Sequence, residues 1–549
     1  MKKILQQALR EAFQSLCREG VFLISQEQRE GLIFEVTVPK DDLHGDYTSS
    51  VALSLAGRLK QLPIDIAHTL KEKLSQNERL SQFSVEVVAP GYVNFSLTPE
   101  ALSDMVADIC RQGRTYGSRA DDKQRKILLE FVSANPTGPL HMGNTRGGFF
   151  GETLARVLRK CGANIATEYY VNDAGEQVDK LGHSVLRDAD AVYAGDYIDR
   201  LAERWSREGE GFRGTDPRSI GEWAGSIILE EYIKPTLREK MGIAFDVFIS
   251  ERDDIIRSGF VDKAISLLAE KGLTYEESGA LWLRTTQYGD DKDRVLVKAN
   301  GIKTYFASDC GYLLHKRERD FEEIYEVWGA DHHGYVARFL AAAEALGFSR
   351  DQVKFTLVQM VRLVKDGKEV RMSKRAGNVV TVDELLGRID AEVVRFFFLM
   401  YSPDTHMNFD MGLAEEQSKK NPVFYVQYAH ARMASIFRKA EEELDLDSSQ
   451  YSAKESGTHL RNSKEILLAR HLAKFPDMLC LIAETSAVHQ LPQYAIRLAD
   501  LFHSFYGECT VIDTEDMNTT RLRLALVGAT KNVLAETLRL IGVSAPEKM

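Results

Sequence analysis

Residues 135–148 read NPTGPLHMGNTRGG, four glycines, two prolines and one histidine between an apolar run and an amphipathic one. Strand, glycine-rich turn and helix, in that order, bring backbone N–H groups and a helix N-terminus to a phosphate. The turn matches neither the G-x-G-x-x-G dinucleotide fingerprint nor the G-x-x-x-x-G-K-[ST] phosphate loop. It places His141, Gly143 and Asn144 at the helix entrance instead, where an imidazole and an amide could orient an anion. Helix capping accounts for the same residues, because asparagine is a common cap. A second stretch, KEVRMSKRAGN at 368–378, gathers four cations around a short polar segment. Such a loop suits closure over polyphosphate, with Lys374 as a point charge for the departing group. Taken alone, it reads as a solvated basic run.

Glu130 interrupts ILLEFV (127–132), where a buried parallel strand would otherwise be wholly apolar. A buried carboxylate needs a partner, either a substrate cation or a protein Lys or Arg. Tyr305 and Asp309 fall four apart and are neighbours if TYFASDCGYLLHK is helical. The DHHG stretch, Asp331 to Gly334, has neither the i, i+4 histidine pair nor a nearby third ligand of a zinc site. No metal site and no structural zinc are expected. Towards the C-terminus NPVFYVQYAHARM sets Tyr425, Tyr428 and Arg432 at helical spacing. Aromatics with an interleaved arginine suit stacked single-stranded bases, although a tyrosine stripe on a helix is more often core. Tyr506 is the stronger stacking candidate.

These residues need elements to hold them. With 549 residues the chain exceeds one core and calls for two to four domains. The first part, 1–116, combines helical spacing in the opening 20 residues with GLIFEVTVPK, the helix-like YTSSVALSLAGRLK, and two β-rich pieces divided at Gly91. The polar GSRADDKQRK is a linker. From ILLEFV onward the rhythm is that of a parallel βαβ sheet over 117–410. In the helix after the turn, Phe150, Leu154, Val157, Leu158 and Cys161 form the apolar stripe. A charged, mainly helix-like insertion occupies about 180–290, and strand-and-helix alternation resumes with RVLVKANG and IYEVWGADHHG. The remainder, 411–549, is helical, with an acidic exposed loop at 441–457 and Leu522, Leu526, Ala529 and Val533 on one face. The fold class expected is therefore multidomain α/β. It comprises a Rossmann-type doubly wound parallel sheet with a helical insertion, a small α/β N-terminal domain and an all-α C-terminal bundle.

The net charge of −11 advertises no nucleic-acid partner, yet a basic track can sit on an acidic whole. No apolar run approaches the roughly 18 to 20 residues of a membrane span, and the amphipathic start is unlike a signal peptide. Six cysteines without a CxxC pair fit reduced, mostly buried thiols. A cytoplasmic protein is expected, with no membrane partner.

H-x-G-N and M-S-K, on opposite halves of such a sheet, resemble the two signature motifs of class I aminoacyl-tRNA synthetases. The phrases EFVSANPTGPLHMGN, TYFASD, VWGADHHGY, RMSKRAGN and NPVFYVQYAHAR, in this order, resemble the arginyl-tRNA synthetases. The likeness runs from HGDYTSSVAL to GVSAPEKM, excepting the insertion. It implies a ligase that attaches arginine to tRNA(Arg) through arginyl-adenylate, with ATP and Mg²⁺, acting as a monomer. By the same resemblance Glu130, Ser133, Asn135, Tyr305, Asp309 and Asp331 belong to the arginine pocket. His141, Gly143, Asn144, Met372, Ser373 and Lys374 hold ATP, and His141, Asn144, Lys374 and Arg371 serve catalysis. Tyr425, Tyr506 and Met549 are placed towards the tRNA. Two positions depart from the family pattern. Asn144 stands where a second histidine is usual, and Arg371 replaces a lysine. Two alternatives stay open: a nucleotidyltransferase acting on another small substrate, and a non-catalytic paralogue that binds tRNA or a partner.

Overall fold

The computed structural model describes residues 1–25, 29, 31–39, 41, 44–119, 124–208, 216–365, 367–369, 380–444 and 459–549. The first helix, Lys2–Arg18, buries Leu5, Leu9, Phe13 and Leu16, the stripe its spacing predicts. Strands β1 (Tyr47–Ser49), β2 (Phe83–Val88) and β3 (Tyr92–Leu97) form an antiparallel sheet in the order β1-β3-β2. Among the described residues, GLIFEVTVPK contributes a single bridge between Thr37 and Thr48.

The chain then builds β4 (Lys126–Phe131), β5 (Asn164–Val171) and β6 (Val247–Ser250), followed by β7 (Thr274–Glu277), β8 (Ala280–Leu283) and β9 (Arg294–Val297). Next come β10 (Glu323–Gly329), β11 (Val353–Val358), β12 (Val361–Lys365), β13 (Lys368–Glu369) and β14 (Met407–Asp410). The central sheet runs β11-β10-β4-β5-β6, and every neighbouring pair is parallel. Its order reverses between β4 and β10, and the crevice outside the carboxyl ends of such strands is where a doubly wound sheet binds its ligand.

Two expectations are corrected here. The stretch 180–290 is not a purely helical insertion, because β6 is an edge strand of the central sheet and β7 and β8 begin another. RVLVKANG does not resume the parallel sheet either. It supplies β9, which pairs antiparallel with β8.

The helix Met142–Lys160 crosses the central sheet tightly. At Gly151 a Cβ would lie 2.3 Å from Phe131 Cγ, so only glycine permits this approach. One turn earlier Arg146 is buried, and its guanidinium donates to the carbonyls of Gln359 (2.9 Å), Thr405 (2.8 Å) and Ser402 (2.8 Å). This arginine therefore ties the helix to the connections around β12 and β14. The C-terminal part consists of the helices Pro422–Leu444, Ser463–Ala473, Phe475–Thr485, Gln490–Glu508 and Met517–Ile541. Leu522, Leu526, Ala529 and Val533 are all buried. Most of the acidic loop read at 441–457 lies outside the described residues. The last helix ends at Gly542 with φ +90°, where the buried Arg395 donates to the Ile541 carbonyl at 3.3 Å. A guanidinium is well placed at the negative end of a helix dipole. All six cysteines are free thiols; Cys161, Cys310 and Cys509 are buried and the others half-buried.

Candidate active site

The helix Met142–Lys160 begins as its sequence suggests, with His141 as N-cap. Gly143 N–H donates to His141 Nδ1 at 3.1 Å, and His141 N–H donates to Asn144 Oδ1 at 3.2 Å. Burial lowers the imidazole pKa, against the pull of Asp331. A neutral ring that accepts on Nδ1 carries its proton on Nε2, which becomes a donor for an anion at this helix N-terminus. The capping reading is thus realised, and the cap itself prepares the donor. Met142 N–H donates to the Val380 carbonyl (2.9 Å), and Val382 N–H donates to the Leu140 carbonyl (2.9 Å). The chain that follows the basic loop is therefore stitched to the turn. Arg371, Met372, Ser373 and Lys374 lie outside the described residues.

Glu130 is 5% exposed, and its counter-cation is a protein group. Lys316 Nζ donates to Glu130 Oε2 at 2.6 Å and to Glu326 Oε1 at 2.5 Å. The register explains the grouping: Glu326, Glu130 and Glu168 stand side by side on β10, β4 and β5. Tyr312 OH bridges Glu130 (2.7 Å) and Glu168 (2.5 Å), and Arg319 pairs with Glu168. Of the two partners open to Glu130, a substrate cation or a protein Lys or Arg, the structure shows the second, Lys316. Three carboxyls share two cations, and their protonation divides accordingly. Burial raises Glu168, but Arg319 and Lys316 hold it below the usual glutamate range. Burial and the neighbouring charges of Glu130 and Glu168 push Glu326 up to about 8, despite Lys316. Lys316, which burial would lower, is held above the usual lysine value by the glutamates.

Glu130 also positions the next residue of interest. Val132 and Ser133 adopt φ +71° and +41°, a conformation that is strained for a β-branched residue. The turn returns Ser133 Oγ to Glu130 Oε1, to which it donates at 2.9 Å, and Ser133 Oγ itself accepts from Tyr170 N–H at 3.0 Å. Asn135 Nδ2 donates to Gln177 Oε1 at 2.6 Å. Tyr305 and Asp309 lie in the first turns of the helix Tyr305–Arg317, as the spacing predicts. The Tyr305 hydroxyl accepts from Glu176 N–H at 3.3 Å.

Asp309 is half-buried among acidic groups, and its charge acts on Glu251. Burial raises its carboxyl to about 6, Tyr335 and Arg338 oppose the rise, and Glu130 adds to it. Glu251, the first residue after β6, is 3% exposed. Burial and then the charge of Asp309 raise it to about 7. Among the described residues neither Asp309 nor Glu251 forms an ion pair. Glu251 escaped the sequence reading because it was assigned to a helical insertion; the apolar run VFIS before it was the available signal. Lys316, Glu168, Glu326 and Tyr335 also escaped, since only strand register and packing bring them together. Asp331 is exposed, with His332 Nε2 at 3.4 Å, and its charge acts on His141.

Away from this crevice, Tyr425 OH donates to Asp500 at 2.6 Å, and His503 joins its ring to Tyr428. Tyr506 is half-exposed, with the Arg432 guanidinium 4.7 Å from its ring centroid. Met549 is exposed at the end of a tail held by His430 and Arg438. No described contact joins it to the aromatic group.

Residues 1–97 match the arginyl tRNA synthetase N terminal domain, residues 223–395 the class I (R) tRNA synthetase catalytic domain, and residues 426–549 the DALR anticodon binding domain. An arginine–tRNA ligase of Carboxydothermus hydrogenoformans is 38% identical over 570 residues, covering 100% of both chains. One of Bacillus subtilis is 38% identical over 577 residues, covering 100% of this chain and 99% of its own. The solved arginyl-tRNA synthetase of Thermus thermophilus shares the fold, with a TM-score of 0.76 at 23% identity and 100% of each chain covered.

Proposed function

Because the chain belongs to the arginyl-tRNA synthetase family, we propose that it joins L-arginine to tRNA(Arg) with ATP, releasing AMP and pyrophosphate. The observation that supports this reading is the pair of carboxyls of Glu251, buried, and Asp309, half-buried, neither of which forms an ion pair among the described residues. A guanidinium supplies the planar, forked donors that two such carboxylates accept. Lysine would leave some of those oxygens unpaired in a buried site, which is how an ammonium is rejected.

The reaction follows from the order of groups along the crevice. Arginine lies with its side chain at Asp309, Glu251 and Tyr305, and its α-carboxylate towards the His141 turn. That carboxylate attacks the α-phosphorus of ATP in line, forming a C–O–P bond as the bond to pyrophosphate breaks. It is already ionised, so this step needs no general base. Catalysis rests on alignment and on donors for the growing phosphate charge. His141 Nε2–H, the Asn144 amide and the helix N-terminus supply these, with Arg371 and Lys374 assigned to the leaving phosphates from sequence. Mg²⁺ would come with ATP and supply positive charge to its phosphates, beside the donors of the His141 turn. The 2′-hydroxyl of the terminal tRNA adenosine then attacks the arginyl carbonyl, and AMP leaves.

We assign residues 1–116 to the tRNA elbow, 117–410 to catalysis and 411–549 to the anticodon. The half-exposed Tyr506 beside Arg432 supports the last assignment, since arginine over an aromatic ring suits a stacked base. Charging of total tRNA with labelled arginine tests the whole scheme. Asp309→Ala is expected to raise the arginine KM by at least about tenfold, the equivalent of one charged hydrogen bond. A folded, ATP-binding protein that charges no tRNA overturns it.

A further inference from the structure

One polar group in the acidic pocket has no part in the scheme above, the hydroxyl of Tyr335. This residue ends the short turn Ala330–Tyr335 that follows β10, and its hydroxyl donates to Asp309 Oδ2. Two groups lie against its ring. The Arg338 guanidinium lies 4.6 Å from the ring centroid. The Trp328 ring stands 6.2 Å away and is itself set edge-on against Phe339 (5.2 Å) and Phe355 (4.7 Å). The hydroxyl is thus presented by a packed aromatic layer, anchored on β10, β11 and the helix Val336–Leu346. That layer also packs against the helix that carries Asp309, through Phe339 and its helix Val336–Leu346.

A carboxylate without such a donor turns about its terminal bond, a torsion with only broad preferences. Its neighbour Glu251 cannot fix it, because two carboxylates repel. For a spherical ammonium the tilt of the carboxylate plane matters little. For a guanidinium the plane decides whether the forked donors find their acceptors. We propose that Tyr335 is a positioning residue for arginine specificity, holding Asp309 Oδ2 so that the carboxylate plane is set and Oδ1 remains for the guanidinium. The inference rests on Asp309 being the carboxylate that receives the substrate side chain.

Tyr335→Phe tests it, since the ring and its packing stay while the donor goes. The expected result is an arginine KM raised about tenfold. The kcat and the ATP KM should stay within about twofold of wild type. Lysine, assayed as a competitive inhibitor, should bind as weakly as before, so the preference for arginine over lysine narrows. An unchanged arginine KM overturns the proposal, as does a parallel rise in the arginine and ATP constants, which marks a general lesion of the site. Asp309→Asn separates the two levels of the argument. If it leaves the arginine KM unchanged, the pocket reading fails. If it raises that KM while Tyr335→Phe does not, only the positioning role fails.

Discussion

Replacing Lys316 by methionine probes the buried charge row most directly. The ammonium has no exposed surface and bridges Glu130 and Glu326 at 2.6 and 2.5 Å. Methionine fills a similar volume, so the main loss is electrostatic. Glu130 keeps the donors Ser133 and Tyr312, whereas Glu326 loses its one described donor. Removing one partner of a buried pair costs about 3–5 kcal/mol, because the other charge stays buried. The loss should depend on pH, with a definite sign. In the wild type the raised Lys316 contributes stability that is complete below the unfolded lysine value, so it stays constant between pH 5.5 and 8. Glu326, raised to about 8, binds its proton more readily in the folded protein, so the wild type loses stability as pH rises through that window. Without Lys316 that raised carboxyl moves higher, and the variant's deficit should be largest at pH 8 and smaller at 5.5. Native-state hydrogen exchange at the amides of β4 and β10 reads this sheet even when other parts of the chain open separately. Adding Glu326→Gln should recover part of the loss at pH 8. A deficit below about 1 kcal/mol, or one equal at both pH values, would refute the reasoning.

Two further outcomes are expected. Arginine requires ionised Asp309 and Glu251, which titrate near 6 and 7; kcat/KM for arginine should therefore fall by about one decade per pH unit between 7 and 6 and more steeply below. Profiles taken with saturating ATP check this, and a flat response from pH 8 to 5.5 contradicts it. Gly542→Ala forces a side chain onto a residue at φ +90° and sets its Cβ 2.2 Å from Arg395 Nη1 and 2.5 Å from Arg156 Nη1. A cost of about 1–3 kcal/mol follows, visible as earlier urea unfolding of the C-terminal helices; an unchanged midpoint would show that both guanidiniums shift freely.

The sequence carried the β4, turn, helix and β5 unit because its signals are local: an apolar run, turn glycines and a helical stripe. The same holds for the C-terminal helix and for the Tyr305 and Asp309 pair, four apart on one helix. What sequence could not carry depends on register. Glu326 meets Glu130 only because β10 pairs beside β4, and Lys316 meets both only because its helix covers those strands. Glu130 looked like a carboxylate awaiting a substrate for that reason; its partner lies in a part of the chain that no local pattern connects to it. β6 was hidden differently. Four residues at a sheet edge, between charged helices, leave too short an alternation to stand out.

The pairing of β4 with β10 also sets a constraint on synthesis. Leu128 has Ile324 as its strand neighbour, so the middle of the sheet stays incomplete until the ribosome has made everything between them. Through that interval the nascent chain presents an apolar strand edge with Glu130 lacking Lys316. Long-range parallel pairing is slow, and such edges invite wrong partners. The antiparallel β1-β3-β2 sheet, whose strands lie within the first hundred residues, can be complete by then. The lysine that neutralises Glu130 arrives in the same segment that delivers β10, so the charge pair and the strand pair are completed together.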